Sequence, residues 1–72
     1  MTEFFYEVRM TGACGVDTKF FRSFARAYAF CAEYNDECGN SYADNETAWH
    51  EVRNWGETNV GCYEIFRREF SD

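Results

Sequence analysis

The sequence predicts an α+β fold: a small antiparallel β-sheet of three to four strands with one α-helix packed on one face, in the order β(β)αββ. Three observations lead there. Separate segments alternate apolar and polar side chains at a period of two, an alanine-rich segment repeats its apolar residues at helical spacing, and glycines punctuate the chain between them. Seventy-two residues make one domain, residues 1–72. Ile65 is the only isoleucine and there is no leucine, whereas eight Phe, five Tyr and two Trp are present. Each ring can bury roughly 150–250 Å², so aromatic side chains have to make up the shortage of aliphatic ones.

The first strand covers Glu3 to Met10, with Phe4, Tyr6, Val8 and Met10 on one face and Phe5, Glu7 and Arg9 on the other. Thr11 to Gly15 holds two glycines and reads as a turn. The segment after this turn admits two readings. In one, Thr18 to Arg22 is a second strand hairpinned to the first, and Ser23 caps a helix from Phe24 to about Glu37. In the other, a helix starts at Asp17 and carries Phe20, Phe24, Ala27, Cys31, Tyr34 and Cys38 as its stripe. The Phe20-Phe21 doublet and the short glycine loop favour the hairpin. Ala25, Ala27, Ala29 and Ala32 favour helix in either case, and Gly39 is a natural stop.

Thr47 to Trp55 alternates again, placing Trp49, Glu51, Arg53 and Trp55 on one strand face. Gly56 to Gly61 reads as a loop. Cys62 to Phe70 is the last strand, with Cys62, Phe66 and Phe70 on one face and Tyr63 and Ile65 on the other. These two runs form the closing hairpin.

Thirteen acids against seven bases leave a net charge of −6. That balance argues against grip on nucleic-acid phosphates or an anionic membrane, so no direct nucleic-acid or membrane partner is expected. Arg9, Lys19, Arg22, Arg26, Arg53, Arg67 and Arg68 could line a basic strip, but pairing with Glu7, Glu64 and Glu69 across strands is the plainer account. No run of eighteen apolar residues occurs, and Met1 to Glu7 lacks the basic start and cleavage site of a secretion signal. A cytoplasmic location is therefore expected, where Cys14, Cys31, Cys38 and Cys62 remain thiols. Their spacing contains no C-x-x-C pair, and they read as small hydrophobes rather than metal ligands. On a shared helix Cys31 and Cys38 would sit roughly 10 Å apart, too far to bridge. His50 is the only histidine, and no phosphate-binding, dinucleotide-binding or zinc-protease motif appears. No catalytic residue, metal or cofactor is assigned, and an enzyme is not expected.

The charge is unevenly placed. Between Ala27 and Val52 there is no Lys or Arg, while Glu33, Asp36, Glu37, Asp44, Glu46 and Glu51 carry six negative charges. Carboxylates near a helix C-terminus oppose its dipole, at a cost of about a few tenths of a kcal/mol each. The block is either a solvated face that aids solubility or an electronegative surface that docks on a basic groove and steers the encounter. Under the second reading Tyr42, in a polar loop, is the exposed apolar contact. Trp49 and Trp55 are assigned to the core.

In its size, its acid block from Glu33 to Glu51 and its strand–helix–hairpin order, the chain resembles the small acidic inhibitors that phages encode, of the anti-CRISPR and anti-restriction type. The resemblance implies a non-catalytic, stoichiometric binder of a host protein or nucleoprotein complex, such as CRISPR-Cas, acting in the host cytoplasm on a basic nucleic-acid-binding site. Glu33, Asp36, Glu37, Asp44 and Glu46, with Tyr42, are the expected partner-binding residues. Duplex DNA carries about one charge per 1.7 Å of axis, so six carboxylates suit one local basic site better than full DNA mimicry. Two alternatives remain: a structural or assembly module that homodimerises through its sheet, and a small nucleic-acid-binding domain.

Overall fold

Val8 and Ile65 are cross-strand partners with no exposed surface, and the sheet extends outward from them. The computed structural model describes residues 3–10 and 18–70. Six elements succeed one another: β1 (Phe4–Met10), β2 (Thr18–Phe21), α1 (Phe24–Cys38), α2 (Asn45–Trp55), β3 (Glu57–Val60) and β4 (Tyr63–Glu69). The sheet is antiparallel, in the spatial order β2-β1-β4-β3. The class is α+β, with four strands and two helices among the described residues. The expected turn at Thr11 to Gly15, the alternative start at Asp17 and Cys14 lie outside the described residues.

The hairpin reading of Thr18 to Arg22 is the one observed, since Glu7 pairs with Phe20 and Tyr6 with Phe21. Ser23 ends β2 and caps α1, its hydroxyl accepting from the Arg26 N–H at 3.2 Å. Phe24, Ala27, Cys31 and Asn35 form the buried stripe of α1, at helical steps of three, four and four. Gly39, at φ 73°, closes the helix in the left-handed conformation.

Thr47 to Trp55 is not a strand but the body of α2. Asp44 caps it by accepting from the Thr47 N–H at 2.8 Å, and Gly56 ends it at φ 79°. Ala48 and Val52, four residues apart, are fully buried on its inner side. On a helix residues two apart fall on opposite sides, so Trp49, Glu51, Arg53 and Trp55 do not share one face, and the caps at both ends decide the matter. The partner strand lies instead within the expected glycine loop. In β3, Thr58 and Val60 point to the core, and the true hairpin turn is Gly61-Cys62.

Apart from Glu7, the buried side chains of β1, β3 and β4 face the helices, so one sheet face is covered by α1 and α2. The other carries Phe5, Glu7 and Arg9 with their cross-strand neighbours and has no helix over it among the described residues.

Asn35 joins the two layers. Its amide donates to Val60 O and Cys31 O, both at 2.8 Å, and its carbonyl accepts from the Cys62 N–H at 3.2 Å and the Asn40 amide at 3.1 Å. Gly61 sits against it: a Cβ there would lie 2.1 Å from Asn35 Oδ1, and its φ of 61° already disfavours any side chain. Removing the amide strands the turn's Cys62 N–H and Val60 C=O, at about 1–3 kcal/mol for each buried group left unpaired. A core of this size supplies only about 3–5 kcal/mol net. Asn35→Ala and Gly61→Ala are therefore each expected to lower the melting temperature, followed by circular dichroism, by more than about 10 °C. A drop of under about 3 °C would show that the turn is held by other means.

Candidate functional site

The two sides of the molecule differ in chemistry. Residues 23–56 hold Glu33, Asp36, Glu37, Asp44, Glu46 and Glu51 against only Arg26 and Arg53, whereas residues 3–10, 18–22 and 57–70 hold five acids and five bases. Among the described residues, no Lys or Arg nitrogen lies within 4.0 Å of any carboxylate in the helix layer.

The structure divides the sequence-predicted residues into groups. Glu33, Asp36 and Glu37 are exposed on the C-terminal half of α1. Glu33 and Glu37 flank Phe30 and Tyr34 around a shallow depression of about 190 Å³. Asp36 faces the α1–α2 connection, where it accepts a 2.8 Å hydrogen bond from the Tyr42 hydroxyl. Tyr42 is half-buried against Tyr28, ring centres 6.2 Å apart, and Tyr28 in turn donates to Ala43 O at 2.9 Å. The expectation of an exposed Tyr42 is thus corrected to a half-buried one: it braces the connection, with its hydroxyl on Asp36 and its ring against Tyr28.

Asp44 and Glu46 sit at the start of α2, where negative charge suits the helix dipole. Hydrogen bonds from the Thr47 backbone and side chain hold the Asp44 carboxyl below its ordinary value. The Tyr42 hydroxyl is pushed up by its bond to Asp36, then by burial and by the Asp36 charge. Burial raises Tyr28, and both Asp44 and Asp36 add to the shift, so these two carboxylates bear on one ring.

Trp49 packs on Phe24, with ring centres 5.0 Å apart. Trp55, also expected in the core, is 77% exposed. Its helix ends there and turns directly into the edge strand β3, leaving no layer for the ring to pack under. It borders a cleft of about 500 Å³ lined by Glu51, Glu57, Thr58, Asn59 and Glu64, in which the Thr58 hydroxyl donates to Glu51.

The uncovered sheet face was not singled out in the sequence. Glu7 is 8% exposed and accepts from Arg9 and, at 3.2 Å, from Arg68. Both guanidiniums also lie over Phe66, at 5.5 and 4.9 Å from its centre. Beside them Phe5 contacts Phe20 at 5.8 Å and Phe70 at 5.1 Å, and Arg22 lies over Phe70. These rings border a groove of about 370 Å³, and Phe20 and Phe70 are 64% and 47% exposed. The signal was present in the doublets Phe4-Phe5 and Phe20-Phe21, since one member of each must face away from the helices.

Of the cysteines, Cys31 is buried and its thiol is pushed up to about 12, by burial and then by the nearby Cys62. Cys38 is exposed, and neither Cys31 nor Cys38 is in a disulfide. Among the described residues no group of three His, Cys, Asp or Glu is placed to hold a metal ion, and no helix is long and apolar enough to cross a membrane. Comparisons with protein-family models, with curated proteins and with solved structures find no match to this chain.

Burial alone would raise the Glu7 carboxyl, but hydrogen bonds and charge from Arg9 and Arg68 outweigh it and hold it below 4.5. The unfolded chain therefore binds this proton more readily. The contribution is complete above the ordinary value of 4.5 and is lost as pH falls through the lower folded value. Glu7→Gln is expected to reduce stability at neutral pH and to flatten its decline below about pH 4.5 in urea titrations. An unchanged acid limb would count against this ion-pair account.

Proposed function

We propose that the protein is a non-catalytic binding protein of phage or mobile-element origin that docks its helix layer on a basic nucleic-acid-binding site of a host defence complex. The supporting observation is the run of carboxylates on α1 and at the start of α2 with no neutralising Lys or Arg nearby among the described residues. Exposed charge without an internal partner attracts a basic surface over about a Debye length, roughly 8–10 Å at moderate salt, and this speeds association.

The six candidate contacts divide by duty. Asp44 caps α2, and Asp36 with Tyr42 braces the connection, so these three shape the surface as well as presenting it. Glu33, Glu37 and Glu46 make no side-chain hydrogen bond or ion pair with the other described residues, and they are the natural anchors for a partner's arginines. Fifteen residues give α1 a length of about 22 Å, over which duplex DNA would present about thirteen charges. The helix layer has fewer than half that number. Occlusion of a local basic pocket fits better than imitation of a long duplex. The protein would act in the cytoplasm of the host cell without a cofactor.

Nucleic acid on the uncovered sheet face is the competing reading, since Phe and Arg on strands can stack bases. Charge weighs against it: Glu7 engages two of the three arginines there.

The test uses purified CRISPR effector complexes and a panel of restriction enzymes, with DNA binding measured at increasing concentrations of the protein. Inhibition of one of them is expected, weakening at least tenfold from low to moderate salt. The Glu33→Lys/Glu37→Lys/Glu46→Lys variant should lose inhibition while keeping its circular dichroism spectrum. Full inhibition by that variant would remove the acidic-layer reading.

A further inference from the structure

We infer that the uncovered face of the sheet binds a second copy of the same chain, the two sheets stacked face to face about a twofold axis that runs along the strands between β1 and β4. This is independent of helix-layer docking, since the helix layers point outward from such a dimer.

The strand register fixes the face as a grid. Arg9 of β1 stands beside Glu64 of β4, Glu7 beside Phe66, and Phe5 beside Arg68. On the outer strands Phe20 stands beside Glu7, and Glu57 beside Phe66. A twofold axis along the strands exchanges β1 with β4 and β2 with β3. It sets Arg9 over Glu64 of the second copy, twice by symmetry, and Phe5 over the Arg68 guanidinium of that copy. Each Phe66 ring stands over Glu7 of the other copy. No like charges oppose each other in this arrangement. An axis across the strands, passing through the row of Glu7, would set Glu7 on Glu7 and Glu57 on Glu57, which is repulsive.

Three observations favour a second copy over another occupant. Arg9, Arg22 and Arg68 nearly balance Glu3, Glu7, Glu57 and Glu64, so the face carries little net charge, is self-complementary in its Arg9 and Glu64 positions, and suits neither a polyanion nor a polycation. The Arg9 guanidinium turns to Glu7 rather than to its cross-strand neighbour, and among the described residues no Lys or Arg nitrogen lies within 4.0 Å of Glu64. Arg9 retains donors for a second acceptor. Finally, Phe20 and Phe70 expose large apolar surfaces beside the Phe5 ring. Aligned packing of two sheets about 10 Å apart is a standard way to cover such surfaces.

β1 and β4 have seven residues and β2 and β3 four, so at about 4.8 Å between strands and about 3.4 Å per residue the face has a footprint of about 360 Å² per copy. The total, roughly 700 Å², lies below the roughly 1,200–2,000 Å² of stable specific interfaces and suits a weak, transient dimer of micromolar to sub-millimolar affinity.

Sedimentation velocity from about 1 µM to about 500 µM brackets that affinity and tests the proposal on the intact chain. A shift from one to two chain masses is expected. Phe20→Ser/Phe70→Ser, at exposed positions, should weaken self-association at least tenfold with an unchanged circular dichroism spectrum. Glu64→Arg and Arg9→Glu should each weaken it alone. An equimolar mixture of the two should associate at least tenfold more tightly than either, because the mixed dimer restores both ion pairs. A monomer at every concentration, a dimer indifferent to the Phe pair, or a mixture no tighter than its components would overturn the proposal. So would a monomer that binds a twelve-residue oligothymidine probe through Phe20 and Phe70.

Discussion

A single buried amide fastens the sheet to the helix layer that covers it. Asn35 has no exposed surface, and it spends its hydrogen bonds on the turn between β3 and β4 as well as on its own helix. A buried amide is costly unless its groups are satisfied, and here donor and acceptor both are. The turn cannot leave α1 without stranding those groups, and α1 cannot rotate without withdrawing the amide. Gly61 completes the fit, because a Cβ there would occupy the space of the Asn35 carbonyl oxygen. One hairpin is thus fastened under the helix. The other, β1 with β2, is carried along by the long β1–β4 pairing.

The one-sided cover sets the rest. The side chains with no exposure are small, Val8, Ala27, Cys31, Ala48, Val52, Val60 and Ile65 together with Asn35, and the aromatic rings surround them as a collar. Phe24, Tyr28, Phe30, Tyr34 and Trp49 fill the margins where a 72-residue chain cannot supply a second layer of aliphatics. On the uncovered side the same abundance of rings has no helix above it. Arg9, Arg22 and Arg68 lie over those rings instead, and Glu7 draws Arg9 and Arg68 together. The surplus of negative charge falls in the helix layer.

The legible parts of the chain were those in which local signals agree. Ser23, the alanines and Gly39 mark α1 from end to end, and the alternation in β1 and β4 separates core from surface side chains correctly. At α2 the signals conflict. Trp, Val, Thr and His favour a strand and happen to alternate, while Asp44 and Gly56 mark the ends of a helix. Giving more weight to the caps would have recovered α2 and, with it, the strand concealed between Gly56 and Gly61. Asn35 carried no such signal, since a pattern of apolar residues passes over an asparagine in the buried stripe. The acidic positions were visible as charge, but the duties of Asp44 as a cap and of Tyr42 as a brace depend on contacts between elements that no spacing encodes.

Amide hydrogen exchange at Cys62 probes the fastening at its core. A backbone N–H in a two-residue surface turn ordinarily exchanges almost as fast as in an open chain. Here it donates to a fully buried carbonyl oxygen 27 residues away. It should therefore exchange only on global unfolding, with protection equal to that of Val8 and Ile65 at the centre of the sheet. Exchange at Cys62 several orders of magnitude faster than at those two residues would contradict the role given to Asn35.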